Sequence, residues 1–107
     1  MKASVPWADV LIPMLSEPGE AAGYLNASMK ERDPRVLLLA LRHVAEAQGG
    51  MSRVARLAGL NRENLYRMLS LNGNPEFRGL MRVFGALGLR LAVAGKASRR
   101  AAPQKRS

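Results

Sequence analysis

Apolar positions along the chain fall into helical repeats separated by short breaks rich in Gly, Pro and polar residues. A repeat over about 17–31 presents Ala21, Tyr24, Leu25 and Met29 on one side. Ser16 and Glu17 offer an N-cap and first-turn charge, and Pro18 and Glu20 suit an opening turn. Gly19 and Gly23 weaken this helix. Asp33-Pro34 is a sharper start, because Asp caps and Pro fits the first helical position. The helix expected from Pro34 to about Gln48 repeats Leu37, Leu41, Val44 and Gln48, and Leu38, Ala40 and Ala45 widen its apolar face. That breadth marks it as the central buried helix. Gly49-Gly50 ends it by tolerating positive φ.

The next elements are short. Ser52 is placed to cap a helix to about Ala58, Gly59-Leu60 turns the chain, and Asn61 is placed to cap a helix to about Ser70. Asn72-Gly73 reads as a turn. Asn74-Pro75 repeats the cap-then-proline signal and opens a helix to about Leu87, with Phe77, Leu80, Val83, Phe84 and Leu87 inward and Gly88 as its stop. Residues 1–15 carry little pattern; Trp7, Val10, Leu11 and Leu15 suit either a short helix or an arm packed on the body.

Leu89-Arg90-Leu91-Ala92-Val93 alternates like a strand, with Leu89, Leu91 and Val93 on one side. No second strand is evident in the chain. The segment therefore either pairs with a strand of another copy or another protein, or packs on the helices as an extended tail. Residues 94–107 carry Lys96, Arg99, Arg100, Lys105 and Arg106 and no apolar residue larger than Ala, which predicts a flexible basic tail. The expected organisation is an N-terminal arm over 1–16, a helical domain over 17–93 and the tail over 94–107. The fold class is all-α, with about five helices and a short C-terminal β-strand.

Composition narrows this picture. With 5% aromatic residues, the core must be built from Leu, Val, Ala and Met. The absence of cysteine excludes disulfides and zinc ribbons. The longest strictly apolar run, Val36 to Leu41, is far too short for a membrane span, and the N-terminus is a poor signal peptide, so a cytoplasmic protein without a membrane partner is expected. Charge is divided unevenly. Residues 1–50 hold five Lys/Arg against six Asp/Glu, and residues 51–107 hold twelve against two. The second half is the candidate surface for a polyanion.

That half contains the segment MSRVARLAGLNRENLYRMLS, Met51 to Ser70. Two helices meeting at a tight turn need a small residue at their approach, and Ala55 supplies it. Gly59 stands four residues later, at the turn. Val54, Ala58, Leu60, Leu65 and Met68 are spaced to pin both helices to a core. The second helix keeps Arg62, Glu63, Tyr66, Arg67 and Ser70 on a polar face, as a major-groove reader does. Arg62 and Arg67 suit guanine or phosphate, and Glu63 suits cytosine or the positive end of its own helix. Asn61 and Asn64 stand between capping and adenine recognition, and Tyr66 between backbone or thymine contact and partial core packing. Ser52 and Arg53 lie where a backbone phosphate passes a first helix, and Asn72 follows in the loop.

The run GMSRVARLAGLNRENLYRMLSLNGNPEFRGLMRVFGALGLRLAV resembles the addiction-module antidote family, the HigA-like antitoxins with a lambda-repressor-like helix-turn-helix. Gly50-Met51-Ser52, Ala58-Gly59-Leu60, Arg62-Glu63-Asn64-Leu65-Tyr66, Gly73-Asn74-Pro75 and Ala86-Leu87-Gly88-Leu89 carry the resemblance, with Tyr24-Leu25-Asn26 and Asp33-Pro34 upstream. The resemblance covers about residues 20–93. It implies an antitoxin that binds and neutralises a RelE/ParE-superfamily (HigB-like) toxin. It also implies a repressor of its own operon that binds double-stranded operator DNA as a homodimer.

A stand-alone or phage-type repressor without a toxin shares the same fold, and only the family pattern separates it from an antitoxin. A basic RNA- or ribosome-associated protein would rely on the tail instead. Enzymatic chemistry has little to stand on. His43 is the single histidine, no nucleophile set, phosphate loop or metal-ligand cluster accompanies it, and no cofactor is expected.

Overall fold

The computed structural model describes residues 6–96, with side chains from residue 10 onward, and contains no strand among them. It has six helices: α1 (Pro6–Met14), α2 (Pro18–Ser28), α3 (Pro34–Ala47), α4 (Met51–Ala58), α5 (Arg62–Met68) and α6 (Phe77–Ala86). The fold is all-α. Helices α1, α2 and α4 pack on α3, and α4 in turn carries α5 and α6. Leu15, Leu25, Leu41, Val44, Val54, Leu65, Leu69, Val83 and Leu87 are almost completely buried. Each such side chain contributes on the order of 1.5–3 kcal/mol of transfer free energy. Because α3 and α4 occupy the middle of this core, the position of α5 is set by the whole domain rather than by its own seven residues.

The helix starts follow from local chemistry. The Asp33 carboxylate accepts the Arg35 backbone N–H at 2.9 Å, with Pro34 in the first position of α3. At α2 the cap is Glu17, whose carboxylate accepts the N–H of Gly19 at 2.9 Å and of Glu20 at 3.4 Å. Ser16 instead donates its hydroxyl to the Pro13 carbonyl at 2.8 Å. Between α3 and α4, Gly49 and Gly50 hold φ of 109° and 97°, values that side chains with a Cβ rarely adopt.

Several expectations need correction. Residues 6–14 form a helix, so the described residues hold six helices rather than about five. Ser52 is not a cap, because α4 begins one residue earlier behind Gly50, with no side-chain cap. Helix α6 starts at Phe77 with Glu76 before it, and Asn74-Pro75 remains in the loop. The reason lies at Gly73, whose backbone sits directly against the Met68 and Arg67 carbonyls and ties the loop to the end of α5. Phe77 is 66% exposed, since the first turn of α6 projects past the core and the inward stripe starts only at Leu80. The C-terminal strand is absent. Leu89 donates its N–H to the Phe84 carbonyl at 2.9 Å, Leu89 and Leu91 pack on the core, and Val93 is fully exposed. With no second strand among the described residues, the Leu89 and Leu91 side chains settle on the helices instead. Most of the expected basic tail (97–107) and the Trp7 side chain lie outside the described residues. No helix among the described residues is long and apolar enough to cross a membrane.

Candidate nucleic-acid interface

Helices α4 and α5 pack together and are joined by the turn Gly59-Leu60-Asn61. Ala55 is buried on α4, and its carbonyl accepts the Leu60 N–H at 2.9 Å, which closes the turn. Gly59 adopts φ 72°, the left-handed conformation in which a Cβ is strained. The small residue and the turn glycine thus occupy the places that two closely crossing helices require.

Helix α5 divides cleanly. Leu65 and Met68 are buried, while Arg62, Glu63, Tyr66 and Arg67 are exposed on its opposite side. The Arg62 guanidinium carbon lies 5.4 Å from the centroid of the Tyr66 ring, a cation–π distance. Half-buried Asn64 accepts from Arg67 Nη1 at 3.3 Å. Asn61 is a cap: its Oδ1 accepts the Asn64 N–H at 2.7 Å. Ser70 is half-buried and donates its hydroxyl to the Arg67 carbonyl at 2.9 Å. Ser52 and Arg53, both exposed, stand in the first turn of α4 and take no part in the cleft described next.

A cleft of about 570 Å³ separates α5 and the following loop from α6. Asn64, Arg67 and Asn72 line it, together with Arg78, Arg82 and Glu76. Arg78 and Arg82 did not figure among the residues expected at the interface. Their signal was their spacing of four, which puts both on one side of the helix that follows α5. Among the described residues the single ion pair is Arg35–Asp33 at 2.7 Å, so the cleft's three guanidiniums are not neutralised by paired carboxylates. Guanidinium and amide donors around an open cleft match the oxygens of a phosphate.

His43 is placed elsewhere. Its Nδ1 lies 2.7 Å from the Tyr24 hydroxyl, which links α3 to α2. Burial, and secondarily the charge of Arg42, holds the imidazole below its ordinary value, and burial raises the Tyr24 phenol. Beside it a hollow of about 200 Å³ is lined by Leu39, Arg42 and Glu46 of α3 and by Tyr66 of α5.

Residues 11–95 match a protein family described as "Probable addiction module antidote protein". A protein from Haemophilus influenzae, described as uncharacterized, is 44% identical over 70 residues, covering 65% of this chain and 71% of that protein. No solved structure matches the chain.

Proposed function

Given that the chain belongs to the probable addiction module antidote family, we propose that it is the antitoxin of a type II toxin–antitoxin pair and represses its own operon through α4 and α5. The antidote family implies a toxin partner in general. RelE/ParE-superfamily identity is our reading of that partner. The observation that carries the DNA-binding half is the exposed face of α5, Arg62, Glu63, Tyr66 and Arg67, next to the arginine cleft. In this reading α5 enters the major groove and Arg67 and Arg62 reach base edges. Arg78, Arg82 and Asn72 hold a flanking phosphate and fix the register. Asn61 stays on its own backbone and organises the first turn.

The toxin binds elsewhere. The segment after Leu89 makes no backbone–backbone hydrogen bond among the described residues, so its N–H and C=O groups are open to a strand of the toxin. Co-expression with the protein of the adjacent open reading frame tests the antitoxin role. Rescue from a toxic neighbour and co-purification are expected. A harmless neighbour that does not co-purify would leave a plain helix-turn-helix repressor. Gel shifts with the chain's own promoter region test the DNA-binding half independently.

A further inference from the structure

The cleft between α5 and α6 is larger and more varied than a single DNA phosphate needs. Its volume of about 570 Å³ lies within the range of small-molecule sites, roughly 300–1,000 Å³. One phosphate group fills only a corner of it. Part of its lining is apolar. Met68 is buried, and a Cβ on Gly79 of α6 would lie 3.1 Å from its terminal methyl. Glycine inside a helix is unfavourable relative to alanine, and here it makes room for the thioether. Leu60 and Pro75 extend the same apolar surface. A phosphodiester gains nothing from such a surface, whereas a flat ring is stabilised by burial against it.

Charge is divided along the cleft. Arg82 reaches the end next to the α4–α5 turn, where its Nη1 would lie 3.8 Å from a Cβ on Gly59. Glu76 stands at the loop end, beside Asn74 and Pro75. The two positions are about 9 Å apart along a helix axis, comparable to the span from phosphate to base edge in a nucleotide. The Glu76 carboxylate precedes α6 but makes no cap hydrogen bond, and the single ion pair among the described residues lies elsewhere. A DNA backbone is repelled by such a carboxylate. The carboxylate suits a ligand with N–H or O–H donors at one end and phosphate at the other. We propose that the cleft is a site for a nucleoside phosphate. Its phosphate rests on the arginines, its base lies on the Met68 surface, and donors of the base or ribose meet Glu76. Guanine fits best, because its ring N–H and exocyclic amino group stand side by side and match both carboxylate oxygens.

The site also regulates. Under the DNA-reading role proposed above, Arg78, Arg82 and Asn72 hold a flanking phosphate of the operator. A free nucleotide in the cleft occupies the same guanidiniums, so nucleotide and operator exclude one another. Repression then falls as the nucleotide accumulates. This regulatory part rests on the DNA-reading role; the nucleotide site itself does not.

Calorimetric titration of the full chain without DNA tests the site. The probes are the common nucleoside 5′-monophosphates and inorganic phosphate, at constant ionic strength. GMP is expected to bind about tenfold or more tighter than inorganic phosphate. Glu76→Gln should weaken GMP about tenfold and leave inorganic phosphate unchanged, whereas Arg78→Ala should weaken both. Both side chains are exposed, so an unchanged helical circular dichroism signal is expected. If no monophosphate binds tighter than inorganic phosphate, or if the tightest of them ignores Glu76→Gln, the proposal is overturned. Fluorescence anisotropy of labelled operator DNA tests the regulation. GMP should release the DNA from the wild type. Glu76→Gln should hold the DNA more tightly and resist release. GMP that binds but leaves the operator in place overturns the competition. A chain that binds GMP and ignores operator DNA would keep this site and remove the DNA-reading role instead.

Discussion

The Asn61 side chain holds the backbone N–H of Asn64 at 2.7 Å, so the residue that opens α5 spends its acceptor on the helix itself. Asn61→Ala should lower the unfolding free energy by about 1 kcal/mol, and Asn61→Asp should preserve it. Thermal unfolding compares the two. If Asn61 reads adenine instead, Asn61→Asp will abolish operator binding while leaving the melting temperature in place.

Arg67 and Arg78 should fail differently. A good bidentate base contact is worth ~1–3 kcal/mol of discrimination. Arg67→Ala should therefore weaken operator binding about tenfold or more and narrow the gap to unrelated DNA. Arg78→Ala should weaken both equally and reduce the slope of log K against log salt by roughly 0.9, the loss of one phosphate contact. Titrations at several salt concentrations separate these behaviours. Neither change should move the melting temperature much, because both side chains are exposed.

Gly73 has no room for a side chain. An added Cβ would press on the carbonyl of Met68 and lie 2.8 Å from that of Arg67, and neither backbone can give way. Gly73→Ala should cost about 1–3 kcal/mol, the range for overpacking. In a domain of this size each kcal/mol lowers the melting temperature by roughly 4–8 °C. Gly85→Ala, with open space around it, should show no such loss.

His43 sets a pH dependence. Its folded pKa is held below the ordinary 6.5 by burial and by Arg42, so the unfolded chain takes up the proton more readily. The associated stability is fully present above pH 6.5 and is lost as pH falls toward the depressed folded value. Melting temperatures should therefore drop on acidification through pH 6, and the His43→Gln chain should show a shallower drop. Equal slopes for the two chains would assign the acid sensitivity to other groups.

Much of the domain was legible because its signals are local. Asp33-Pro34, Gly49-Gly50, Gly59 and Asn61 each act on their own neighbours, and the structure uses them as starts, stops and caps. The buried stripe of α3 was legible for a similar reason, since a repeat of apolar residues leaves one face to bury. What was not legible depends on distant contacts. Asn74-Pro75 looks like a helix start, but the packing of Gly73 on α5 delays α6 to Phe77. Phe77 has the right spacing for the core and the wrong height along the helix. Arg78 and Arg82 drew no reading from the sequence, and the fold sets them across a cleft from Arg67. Leu89 and Leu91 alternate as in a strand, yet alternation cannot say whether a partner strand exists.

The arginine cleft has one more consequence. It gathers Arg67, Arg78 and Arg82 around a single carboxylate, Glu76. Crowded like charges work against the compact state until something neutralises them. An anion that binds only the folded chain raises its stability in proportion to the logarithm of its occupancy. A copy seated on phosphate is thus harder to open than one adrift in solution, and a protease that cuts opened chains will remove the unseated copies first. Under the proposed DNA-reading role, the lifetime of the protein in the cell would record how much of it is on DNA.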